Sequence, residues 1–150
     1  MNVEPLLKAG VTEARVDAET AAAWAAASHQ ALREAHGRVL GSVIPPGQAF
    51  NYYLLRVQLE DGQRLRLMLN ATIGLVGAAD DTDELRLDKE FRDVPRPDVF
   101  GYFGFRVATP AQLEAPLTHD QAAALTAAER RDVDYHNPQR VGDVVFNWFD

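Results

Sequence analysis

The chain has 150 residues, 47% of them hydrophobic and 25% charged, which is ordinary for one soluble globular domain spanning residues 1–150. It contains no cysteine, so a disulfide framework, a thiolate nucleophile and a thiolate metal site are excluded. No apolar run reaches the roughly 20 residues of a membrane helix and no signal peptide is visible, so with a net charge of −7 we expect a cytoplasmic protein and no membrane partner.

The first clear element in the chain is an alanine-rich helix. Asp17 is a suitable N-cap and Gly37 a suitable stop, so a helix is predicted from residue 18 to about residue 36. Its apolar residues follow the spacing of a helix that buries one face, with Trp24 as the largest of them. A strand is predicted next over residues 38–44, where two prolines and a glycine then end it.

Residues 51–70 carry the strongest local signal, because two runs of alternating apolar and polar residues flank Glu60-Asp61-Gly62. A two-residue Asp-Gly turn would place Val57 opposite Arg66 and mix the two faces. A three-residue loop with Gly62 in the left-handed conformation pairs Val57 with Leu65 instead, and we prefer it. The predicted hairpin has an apolar face of Tyr53, Leu55, Val57, Leu65, Leu67 and Leu69, and a second face with Arg56, Gln58, Arg64 and Arg66.

Acidic residues are concentrated in the second half of the chain. Residues 1–75 hold seven basic and seven acidic side chains, whereas residues 76–150 hold eight basic and fifteen acidic ones. An acidic surface repels phosphate backbones, so we expect no nucleic-acid binding, and it favours a basic protein partner bound through residues 76–150. Thirteen of the fifteen basic residues are arginine, which suggests a GC-rich bacterial genome.

The most charged segment, residues 80–98, begins with Asp80-Asp81-Thr82-Asp83-Glu84 and superficially suggests a calcium-binding loop. Such a loop needs a central glycine and a glutamate at its twelfth position, where this sequence has Phe91. A solvated acidic loop is therefore predicted, without a metal site.

Residues 99–107, VFGYFGFRV, are predicted to form an aromatic strand. Gly101 and Gly104 interrupt its wall of side chains, which leaves room for a neighbouring ring or a ligand. Tyr102 and Arg106 are candidate ligand-binding residues because an aromatic strand with an arginine can stack bases, although the acidic surroundings favour a buried structural strand.

Capping-box patterns predict helix starts at Thr109 and Thr118, the first helix limited by Pro116 and the second spanning residues 118–134. A third such pattern at Thr126 allows the second helix to restart after a kink.

The best candidate for chemistry is the segment Asp132-Val133-Asp134-Tyr135-His136. Asp132, Asp134 and His136 would converge on a ligand only in an extended segment, whereas the capping patterns place them at a helix end. There the helix dipole favours protonated His136, which is a sufficient structural explanation. No nucleophile elbow, zinc motif, dinucleotide fingerprint or phosphate loop is present, so the sequence identifies no catalytic residue, and no metal or cofactor is predicted.

The chain ends in an apolar segment, and residues 141–149 are predicted to form an inner strand from which Asp150 emerges at the sheet edge near an arginine. Asn147 lies among the aromatic residues of this segment. A buried amide needs hydrogen-bond partners, so Asn147 is either a structural residue or part of a ligand pocket.

Together these elements predict an α+β fold in which a mainly antiparallel sheet of four to six strands packs against the alanine-rich helix and the 118–134 helix. The favoured function is protein–protein interaction, as an inhibitor or immunity-type partner. The alternative is a small enzyme or ligand-binding module with a pocket near the 99–107 and C-terminal strands.

Overall fold

The structure is a computed structural model that describes residues 5–47, 50–81 and 89–149. Its helices are α1 (Ala18–Glu34), α2 (Pro97–Tyr102), α3 (Pro110–Glu114), α4 (His119–Ala122), α5 (Ala127–His136) and α6 (Val141–Val145). Its strands are β1 (Arg38–Val39), β2 (Tyr53–Gln58), β3 (Arg64–Asn70), β4 (Leu75–Asp80), β5 (Phe91–Arg92) and β6 (Arg106–Val107). Strands β1 to β5 form an antiparallel sheet in sequence order, and β6 pairs in parallel with β4. The predicted α+β class is confirmed.

The central hairpin has the predicted register. Val57 lies opposite Leu65 and Leu55 opposite Leu67, and Gly62 has a φ of +90° in the three-residue loop. The predicted apolar face is buried against α1, so we call it the α1 face of the sheet. Its core residues include Trp24, Leu32, Tyr53, Leu55, Val57, Leu65, Leu67, Leu69 and Phe100.

The helix α1 begins as predicted, because the Asp17 side chain accepts a hydrogen bond from the backbone N–H of Thr20 at 3.1 Å. At its other end, His36 takes the left-handed conformation with a φ of +59°, and the Gly37 N–H donates to the Leu32 carbonyl at 2.7 Å. The glycine is needed for a different reason: a Cβ at residue 37 would lie 2.5 Å from the Gln58 carbonyl oxygen.

The second face of the sheet, which we call the α6 face, is covered by α3, α5, α6 and the N-terminal segment of residues 5–12. Two glycines allow close packing there. A Cβ at Gly77 would lie 2.6 Å from the Phe146 ring, and one at Gly142 would lie 2.4 Å from the Phe91 ring. Core residues on this face include Val11, Leu54, Met68, Leu75, Phe91, Leu113, Val133, Val144 and Phe146.

The strand predicted over residues 99–107 is wrong. Most of this segment is the end of α2 followed by a turn at Gly104, which has a φ of +92°, and only Arg106–Val107 pairs in the sheet. Pro97 occupies the first turn of α2. An N–H at that position has no hydrogen-bond partner within the helix, so a proline there is compatible with the start of a helix.

The strand predicted over residues 141–149 is also wrong, since the segment folds into the short helix α6. Its residues Val144 and Val145, like Phe146 after it, are 0% exposed. A segment buried on all sides shows neither a helical nor a strand periodicity, so its sequence pattern cannot separate the two structures. Asp150 lies outside the described residues.

Two further predictions need adjustment. The strand predicted over residues 38–44 pairs only at β1 and at an isolated bridge between Ile44 and Leu54. The region 118–134 is helical as predicted but is divided into α4 and α5, and Thr126 caps the second helix.

Of the five residues Asp80 to Glu84 that begin the predicted solvated acidic loop, Asp80 and Asp81 are described, and both form ion pairs with arginines. The other three lie outside the described residues. In the part of the chain that is described, no helix is long and apolar enough to cross a membrane.

Candidate protein-binding surface

The first turn of α5 is joined to the N-terminal segment through Glu129, which is 2% exposed. One carboxylate oxygen accepts hydrogen bonds from the N–H groups of Gly10 at 2.8 Å and Thr126 at 3.0 Å. The other accepts from the N–H of Thr12 at 2.8 Å and from its hydroxyl at 2.6 Å. Burial acts to raise the pKa of Glu129, but these hydrogen bonds outweigh it and hold the pKa below its usual range.

Asn147, which is 0% exposed, holds the C-terminal tail (residues 146–149) in place. Its side-chain amide donates to the carbonyls of Thr12 and Val144, both at 3.0 Å, and its side-chain oxygen accepts from the Phe149 N–H at 3.0 Å. Its own N–H donates to the Asn51 side chain at 2.8 Å. Asn147 is therefore a structural residue whose bonds are made within the protein.

Lys89 adds a buried cation next to the same tail. Its ammonium donates to the Phe146 carbonyl at 2.8 Å and lies 5.2 Å from the centre of the Trp148 ring. Burial lowers the pKa of Lys89 to about 8, against the opposing attraction of Asp143. At 7% exposure Lys89 has little access to solvent, so we assign it a packing role.

Between α5 and the tail lies a line of ring contacts that reaches the protein surface. His136 stacks on Phe149 with ring centres 4.4 Å apart and planes 9° apart. Tyr135 meets His136 edge-on at 5.0 Å, and Trp148 meets Phe149 at 5.8 Å. We call these four residues the aromatic row. Tyr135 is its outermost member and is 84% exposed.

Carboxylates and a groove border the aromatic row. Asp132 and Asp134 are exposed and form no ion pair with any residue that the structure describes, whereas Asp143 is paired with Arg140 at 2.8 Å. Two adjoining cavities of about 290 and 330 Å³ lie between α4 and α5. Both cavities are lined by His119, Ala122, Val133 and Asp134.

The structure brings three of the six predicted site residues onto one helix. Asp132, Asp134 and His136 lie on the last two turns of α5. Asp132 and His136 are four residues apart and share one face of the helix, whereas Asp134 lies on another face, so the three side chains do not converge on one ligand. Within the described residues, no group of histidine, aspartate and glutamate side chains is arranged to hold a metal ion.

The other three predicted residues are elsewhere. Tyr102 is 88% exposed at the end of α2, which packs against α1 on the opposite side of the sheet. Arg106 is half-buried on β6, beside β4. Asn147 is buried under the tail, so these three do not form one site with the α5 residues.

Sequence reasoning missed the stack of His136 on Phe149. No local pattern predicts it, because the two residues belong to separate elements that meet only after the tail has folded. The groove had a visible signal, since the capping boxes at Thr118 and Thr126 stand eight residues apart and mark two short helices.

Comparison with protein-family models, with curated proteins and with solved structures finds no match to this chain. The chemistry of the surface must therefore be inferred from its own residues, which are an aromatic row that ends in the exposed Tyr135, two carboxylates and a shallow groove.

Proposed function

We propose that the protein is a protein-binding module, an inhibitor or immunity-type partner, whose aromatic row and adjacent carboxylates bind a basic segment of another protein. The observation that carries this proposal is the exposure of Tyr135, at 84%, on a helix whose two ends are both fixed. Tyrosine is enriched among the residues that dominate binding energy, because it offers a large contact area with few rotatable bonds.

The fixed support matters because ordering a flexible segment on binding lowers affinity. At its first turn, α5 is held by the hydrogen bonds that Gly10 and Thr12 donate to Glu129, and at its last turn His136 stacks on Phe149 with ring centres 4.4 Å apart. Tyr135 is therefore presented on a support that needs no further ordering.

The charge of the surface indicates the kind of partner. Asp132 and Asp134 are exposed on the same helix as Tyr135, in the half of the chain that carries the whole acidic excess. Such a surface attracts basic proteins and speeds their encounter, and a lysine or arginine can also lie over the face of Tyr135. The same charge disfavours nucleic acid.

The alternative, a small enzyme or ligand-binding module, has less support. It relied on a pocket beside two strands, over residues 99–107 and at the C-terminus, and neither segment forms the predicted strand. The candidate residues Tyr102 and Arg106 lie away from the groove and from Asp134.

The test is a capture experiment with the full-length chain immobilised as wild type, Tyr135→Ala and Tyr102→Ala. Tyr102 is the matched control because it is equally exposed, at 88%, but lies on the other side of the sheet. We expect one basic protein from the source cells to bind the wild type and Tyr102→Ala, and binding to Tyr135→Ala to fall at least about tenfold. Equal capture by all three proteins, or no specific capture by the wild type, would refute the proposal.

A further inference from the structure

We infer that the groove between α4 and α5 receives one lysine or arginine side chain of the partner, with its aliphatic stem over Ala122 and Val133 and its cationic head at Asp134. This inference rests on the proposed function, which supplies the basic segment, and it adds the place where that segment is bound.

The groove has the size and lining for such a side chain. Its two adjoining cavities, of about 290 and 330 Å³, share the small residue Ala122 and the apolar Val133. Lysine and arginine bury their methylene stems along apolar surface while the charged head stays at a polar rim. His119 and Asp134 supply that rim.

The two charged residues of α5 that line the groove are Arg130 and Asp134, one helical turn apart. The Arg130 guanidinium donates to the Leu125 carbonyl at 2.6 Å, which holds it toward the α4–α5 turn. Asp134 lines both cavities and forms no ion pair with any described residue, whereas Arg130 lines only the first cavity, so the groove is negative at its Asp134 end. A basic side chain is favoured at that end, and an acidic one is disfavoured.

Continuity with the aromatic row supports the same occupant. Asp134 precedes Tyr135 in the chain, and Asn137, which follows the row's His136, lines the second cavity. A basic segment that crosses Tyr135 can therefore place one cationic side chain in the groove without leaving the surface of α5.

The experiment uses a defined probe, so it does not depend on the natural partner. The blocked tripeptide acetyl-Gly-Arg-Gly-amide is titrated into the full-length protein labelled with ¹⁵N, and amide shifts are followed by NMR. The matched control peptide carries citrulline, which has the shape of arginine without its charge. We expect saturable shifts at residues 118–123 and 133–139 with a dissociation constant of about 10 mM, and none with the citrulline peptide.

Two protein variants separate the groove from general electrostatics. Asp134→Lys and Glu114→Lys change the net charge equally, but Glu114 is an exposed residue of α3 outside the groove. We expect Asp134→Lys to weaken arginine-peptide binding at least about tenfold, and Glu114→Lys to weaken it less than about threefold.

Arginine-peptide shifts that are absent from the groove, that occur equally with citrulline, or that weaken equally in both variants would overturn the inference. Such a result would leave the proposed function intact if the capture experiment still depended on Tyr135. Conversely, specific peptide binding without a captured partner would support the groove and count against the proposed function.

Discussion

Replacement of Lys89 with methionine isolates the cost of a charge buried beside the tail. Lys89 is 7% exposed, and its ammonium faces Asp143, two arginines and three aromatic rings. The arginines are Arg66 and Arg140, which disfavour the charged form, whereas Asp143 favours it. Methionine keeps an unbranched stem of similar length and removes the charge. Any pH dependence of the unfolding free energy that is present in the wild type and absent from the variant therefore comes from Lys89.

The magnitude follows from the pKa of Lys89, which falls from 10.5 to about 8, chiefly because the ammonium is buried. The folded protein releases this proton at lower pH than the unfolded chain, so the unfolded chain binds more protons between the two values. Stability of the wild type therefore rises with pH in that window. Relative to Lys89→Met, the free energy of unfolding is expected to increase by about 2.5 kcal/mol from about pH 7 to about pH 10. This is an upper bound, because the ring contacts favour the charged form.

The measurement is urea unfolding of both proteins at several values across that pH range. Lys8, the only other lysine, is exposed, and Lys8→Met is the matched control that should show no such difference. Tyr52 also titrates in the alkaline range with a pKa raised by burial, but its effect is shared by all three proteins and cancels. A difference between the wild type and Lys89→Met that stays flat or falls with pH would refute the reasoning.

Two further predictions concern the packing of the α6 face. Gly142→Ala should lower the free energy of unfolding by about 1–3 kcal/mol, because the new Cβ would lie 2.4 Å from Phe91 and 2.9 Å from the Leu113 Cβ. The control Gly101→Ala has no atom within 4 Å and should be neutral or slightly stabilising in urea unfolding; similar losses in both would contradict the packing. Glu129→Gln should cost about 2–3 kcal/mol, since its amide nitrogen would face donors in place of one oxygen. Glu129 stabilises the fold above its ordinary pKa of 4.5, and this stabilisation is lost as the pH falls through the lower pKa that it has in the folded protein. The free energy of unfolding should therefore fall less in acid for Glu129→Gln than for the wild type. An equal fall in both proteins would contradict the prediction.

The parts of the fold that the sequence predicted are those with local signals. Side-chain parity around Glu60-Asp61-Gly62 determined the hairpin register, and capping residues such as Asp17 and Thr126 marked helix starts. Each signal lies within a few residues of the structure it specifies, so no knowledge of distant contacts was needed.

The failures have two causes. In residues 99–107, the helix that begins at Pro97 continues into the segment and leaves Tyr102 exposed. Residues 141–149 are rich in large apolar side chains, and burial satisfies such side chains equally well in a helix or a strand. What decided their structure was the space left by other elements, as where Gly77 admits the Phe146 ring to the sheet. The same limit applies to the candidate site. The helix end at Asp132 to His136 was predicted, but its contact with Phe149 was not.

The relative positions of Tyr135 and Phe149 depend on Thr12, which lies more than 100 residues earlier in the chain. Thr12 donates its N–H and hydroxyl to Glu129 at the start of α5, and its carbonyl accepts from Asn147 just before the tail aromatics. One residue of the N-terminal segment thus holds both elements that carry the aromatic row. Because the two are joined through the core, a partner that contacts the row meets rings already placed and loses less free energy to ordering them. This long-range connection also explains why no local pattern indicated the stack of His136 on Phe149.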